Sequence, residues 1–86
     1  MKNFSYTIKD AVGIHARPAG NLAKLAKSFT GTKVMIEKNG KSVDVTKLMM
    51  LMGLGVKCGE TVTVEVDGPD EDTAFEAIKA FFEANF

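Results

Sequence analysis

Hydrophobic and polar positions alternate at the start of the chain, with Phe4, Tyr6 and Ile8 on one side and Ser5, Thr7 and Lys9 on the other. That period of two predicts a half-buried strand. The period then lengthens. Ala19, Leu22, Ala23, Ala26 and Phe29 form one stripe of an amphipathic helix, with Lys24 and Lys27 off it. Proline is tolerated only in a helix's first turn, so Pro18 sets the start at about Ala16, and the helix runs to about Ser28. Gly20 is awkward inside it, costing about 1 kcal/mol relative to Ala; close approach of a partner helix would account for it, and drift is the alternative.

Period two returns at Lys33–Glu37, where Val34 and Ile36 point one way and Met35 the other. Asn39-Gly40 signals a type I′ hairpin, and Ser42–Val45 comes back with both valines on one face. Leu48–Met52 predicts a short helix ended by Gly53 and Gly55. Thr61–Val66 alternates most cleanly of all. Asp67-Gly68-Pro69-Asp70 then makes a turn that caps a last helix, with Glu71 and Asp72 in its first turn. Ala74, Ile78, Phe81 and Phe82 supply the buried side of that helix. The order is βαββαβα, and each strand offers one apolar face. The prediction is an α+β open-faced sandwich, a four-stranded antiparallel sheet with three helices on one face.

Composition narrows the function without naming it. The 86 residues suit one domain, and 45% apolar with 26% charged is ordinary for a soluble globular protein. Eleven basic residues balance eleven acidic ones, so no global charge points to nucleic acid or a membrane surface. The first residues lack an apolar leader core and no stretch would span a bilayer, so a cytoplasmic location is expected. One cysteine, Cys58, excludes an intramolecular disulfide and is expected to be a structural or neutral loop residue. One His and one Cys make no plausible closed metal site, and no cofactor is implied.

The chemistry gathers in Gly13-Ile14-His15-Ala16-Arg17-Pro18-Ala19, which holds the only histidine. His15 falls at or next to a helix N-cap. Unpaired amides and a partial positive charge there suit an anion. An imidazole so placed can act as a nucleophile whose anionic product, such as a phosphoryl group, is received by the amides of Ala16 and Arg17. The Arg17 guanidinium adds charge-assisted hydrogen bonds. A lone histidine is ordinarily a surface or capping residue; His-x-Arg-Pro on a helix start fills three roles of an anion-transfer site at once. Leu48-Met49-Met50-Leu51-Met52 is the second candidate. A two-turn helix cannot bury it all, so Leu51 and Leu54 are assigned to the core, and some of Leu48, Met49, Met50 and Met52 to an adaptable, methionine-rich contact surface, the alternative being a loose core.

The Gly13–Ala19 run resembles the active-site signature of the HPr family, the histidine phosphocarriers of the bacterial phosphoenolpyruvate-dependent sugar phosphotransferase system. The likeness covers essentially the whole chain. It implies phosphorylation of His15 on Nδ1, stabilisation by Arg17, and relay from enzyme I to the IIA domains of sugar permeases, without turnover as an enzyme. It also implies partner docking through Gly20, Lys24, Lys27, Leu48, Met49 and Met52, and a monomer. Lys47 stands where the family normally has a serine, which in many Gram-positive bacteria is phosphorylated by an ATP-dependent kinase. Thr46 is adjacent, and Met50 stands where Gly or Lys is more usual. Two rivals follow: a regulatory module acting through its phosphorylation state, and a metal-binding module, which the donor count disfavours.

Overall fold

The computed structural model describes residues 1–86 and contains β1 (Lys2–Thr7), α1 (Ala16–Lys27), β2 (Lys33–Lys38), β3 (Lys41–Asp44), α2 (Leu48–Gly53), β4 (Thr61–Asp67) and α3 (Glu71–Asn85). All strand pairs are antiparallel, in the order β1-β4-β2-β3. The register aligns Phe4, Val64, Ile36 and Val43 across the sheet. Because side chains alternate along each strand, this alignment puts the apolar set on one face and leaves the other to residues such as Ser5, Thr63 and Glu37. Asn39 (φ 53°) and Gly40 (φ 82°) are both left-handed, as the type I′ turn between β2 and β3 requires.

One cluster of 19 buried residues joins sheet and helices. Phe82 of α3 sits at its centre, fully buried, with ring centroids 5.7, 5.6 and 5.0 Å from those of Phe4, Tyr6 and Phe86. Truncating it to Ala would cost about 3–5 kcal/mol. Two expectations about α3 change. Phe81 is only half-buried, and the buried place beside Phe82 belongs to Phe86, just past the helix. Val45 lies beyond β3 but still donates its amide to Val34 and is fully buried.

The helix starts fall where the sequence put them. Pro18 is buried in the first turn of α1, and Ser28 closes that helix. No neighbour lies within 4 Å of where a Cβ on Gly20 would sit, so no helix of this chain makes the close approach considered for it. No helix is long and apolar enough to cross a membrane.

Candidate functional site: the start of α1

The loop carrying His15 is held from three directions. Ile8 donates its amide to Glu60 and accepts one from Gly59, extending the sheet pairing past β1. Asp10 donates its amide to the Phe86 carbonyl at 2.7 Å, and its own carbonyl accepts from Gly13 at 3.0 Å. The Val12 amide donates to Asp10 Oδ1 at 2.8 Å, closing an Asx turn. Ile14 then donates to the Val56 carbonyl. Gly13 has φ +87°, and a Cβ there would lie 2.3 Å from the same Val56 oxygen. The left-handed backbone and the close approach both demand glycine.

The segment bearing Val56 is itself braced. Lys38 Nζ donates to the Leu54 and Gly55 carbonyls at 3.3 and 3.1 Å and pairs with Glu60 at 2.9 Å. Glu60 also accepts the Lys57 amide. The Lys38 ammonium, followed by that amide, holds the Glu60 carboxyl below its ordinary pKa. Cys58, in the same segment, is exposed and lies 3.7 Å from the Lys9 carbonyl.

His15 is the N-cap of α1, with extended backbone (φ −120°, ψ 172°), and its side chain makes no capping bond. Its carbonyl accepts from Ala19. Pro18 has no amide hydrogen, so the open donors of this first turn are the amides of Ala16 and Arg17. No acidic residue occupies that turn to compete for them. His15, Arg17, Asn21, Asp10 and Asn85 help to line an open hollow of about 320 Å³. The imidazole and the guanidinium thus line one hollow, at a helix start whose Ala16 and Arg17 amides are open, an arrangement that suits an anion.

Of the residues singled out from the sequence, His15 and Arg17 line the hollow and Ala16 follows His15 at the helix start; Asp10, Asn21 and Asn85, which the sequence did not single out, line it as well. The Asp10-Ala11-Val12-Gly13 turn composition was the only signal for Asp10. Its Oδ1 lies 3.9 Å from His15 Nε2. Lys24 and Lys27 do not join the hollow. They are exposed in the last turn of α1, where they also offset the negative end of the helix.

In α2, Leu51 is buried, while Leu48, Met49 and Met50 are 37%, 83% and 56% exposed. Met52, expected at the surface, is half-buried and packs on the core. Met50 takes the outward place instead. Lys47 is the α2 N-cap, exposed and without a side-chain cap bond. Thr46 donates its amide and its hydroxyl to Asp44 Oδ1, at 2.8 and 2.7 Å.

The family model described as "PTS HPr component phosphorylation site" matches residues 2–84, nearly the whole chain and every residue of this site except Asn85. The chain belongs to the HPr family. It is 41% identical to Phosphocarrier protein HPr of Mycoplasma genitalium over 85 residues, covering 99% of this chain and 97% of that protein. The HPr-C-His crystal structure from Thermoanaerobacter tengcongensis superposes with a TM-score of 0.90 at 34% identity, covering 98% of this chain and 93% of that one. An HPr dimer from the same organism gives 0.75 at 34% identity over 98% and 95%. The HPr fold extends to self-assembled forms, so membership of the family does not carry the expected monomer.

Proposed function

We propose that the chain accepts a phosphoryl group on His15 Nδ1 from phospho-enzyme I and passes it to the IIA domains of sugar permeases, in the cytoplasm. The observation carrying this reading is the uncapped imidazole of His15 directly ahead of two open amides and Arg17. The lone pair of Nδ1 attacks phosphorus in line as the donor's bond to phosphorus breaks. Arg17 and the Ala16 and Arg17 amides receive the charge gathered on the transferred oxygens. Donation reverses the step, so the protein is a relay regenerated at each pass.

Docking is assigned to Gly20, Lys24 and Lys27 on α1 and to Leu48 and Met49 on α2, with Met52 contributing only its exposed edge. Lys47 removes the serine used by the family's kinase, and Thr46 is a poor substitute. Its hydroxyl is already donated to Asp44, and a phosphate there would face that carboxylate. The chain therefore transfers phosphate without seryl control at this position.

Incubation with phosphoenolpyruvate and enzyme I should place one acid-labile phosphate on the protein. His15→Ala should take none while keeping its amide spectrum, because the ring makes no cap bond and adds little to the core. Phosphate on the His15→Ala variant refutes the assignment.

A further inference from the structure

The geometry points to Asp10 as a positioning residue for phosphoryl acceptance, one that takes the Nε2–H of His15 and leaves Nδ1 free to attack. This rests on His15 being the acceptor. Nε2 is the ring nitrogen that faces Asp10 Oδ1, at 3.9 Å. In a neutral imidazole one nitrogen carries the proton and the other the lone pair, and the partner of the first decides which is which. A carboxylate beside Nε2 favours the proton there. Separations of this size in an unliganded site shorten when the reacting complex forms.

Asp10 is unusually well fixed for a loop carboxylate. Its amide, carbonyl and Oδ1 are all engaged, by Phe86, Gly13 and Val12 respectively. Those bonds hold the carboxylate in the hollow beside the ring. The other charged group lining the hollow is Arg17, and α3 contributes only the neutral Ala84 and Asn85. As the Nδ1–P bond forms and the donor's bond to phosphorus breaks, the electron pair of the broken bond stays with the donor. The ring then gains positive character while its proton remains on Nε2. The Asp10 carboxylate offsets that charge where it develops, and Arg17 serves the phosphoryl oxygens on the other side.

The test uses imidazole nitrogen spectra of the 15N-labelled protein above pH 7.5, past the ordinary histidine pKa of about 6.5, together with the rate of phosphorylation by enzyme I. Asp10→Ser keeps a short acceptor for the Val12 amide but does not reach the ring. Asp10→Asn keeps the reach and loses the charge. The wild type and Asp10→Asn should show the Nε2–H tautomer, whereas Asp10→Ser should at least double the share of Nδ1–H. Transfer should slow about two- to fivefold in Asp10→Ser, the scale expected for a partly exposed pair, and less in Asp10→Asn. An unchanged tautomer balance or an unchanged rate in Asp10→Ser overturns the proposal. If Asp10→Ser does not fold, a wild-type rate in Asp10→Asn overturns it. A wild-type protein that takes no phosphate sinks the carrier reading alone, and the tautomer comparison still decides the role of Asp10.

Discussion

Helices α1 and α2 both begin without a side-chain cap, yet their starts are built for different work. At α1 the cap position holds an imidazole, the next two amides are open, and the loop before it is tied to β4's approach and to Phe86. At α2 the cap position holds Lys47, whose ammonium opposes the helix dipole, and the six-residue helix turns apolar side chains outward. Helix α3 has no side-chain cap bond either, but Glu71 and Asp72 occupy its first turn, Glu71 accepts the Gly68 amide, and the Asp70 amide is donated to Thr32. A start without a side-chain cap bond is thus common to all three helices. Only at α1 does an imidazole sit on such a start, behind a loop fastened at Val56 and Phe86.

The comparison breaks first at Arg17. Arg17→Lys keeps a charge but loses the planar fork, so transfer from enzyme I should slow roughly 10- to 100-fold while docking weakens little. Equal single-turnover rates for the two proteins would make Arg17 a solvated bystander. Next comes the lock itself. Gly13→Ala must relieve both a left-handed backbone and the contact with Val56, costing about 1–3 kcal/mol in denaturant unfolding. Unchanged stability would mean the loop is free to move.

On α2 the two methionines should part company. Met52→Glu buries a charge against the core and should cost about 1–3 kcal/mol, whereas Met49→Glu should stay within about 0.5 kcal/mol and weaken binding to enzyme I. Titration calorimetry and urea melts on both variants check the pair; similar stabilities would return Met52 to the surface. The smallest effect is at the α2 start. Lys47→Ser supplies the missing cap and should gain about 0.5–1 kcal/mol, while restoring modification by an HPr kinase with ATP. Stoichiometric phosphothreonine at Thr46 in the unmutated protein would overturn the claim that seryl control is lost.

Local signals account for what could be read from the chain. Alternation placed the strands, Pro18 placed the start of α1, and Asn39-Gly40 placed the hairpin, because each depends on neighbours in sequence. His15 and Arg17 were legible for the same reason. Asp10 was not, since its position depends on bonds to Phe86 and on a loop fastened at Val56, both remote in sequence. Met52 turned toward the core because five consecutive apolar residues carry no periodicity to orient a short helix. Phe86 took the place expected for Phe81 because the chain turns inward after α3 and its ring packs on Phe82.

Strand β1 has one neighbour in the sheet, and that neighbour is β4, so Thr7 meets Thr61 across 54 residues of chain. During synthesis β1 therefore waits, with Phe4 and Tyr6 uncovered, until most of the chain has emerged. Pairing so distant in sequence is slow to form, because the loop must close before the contacts stabilise it. The His15 loop depends on the residues just before β4 and, later still, on Phe86 after α3. A half-made chain can hold a helix with a histidine at its tip, but not the arrangement around it. The surroundings of His15 are therefore completed only when the last residues of the chain are in place.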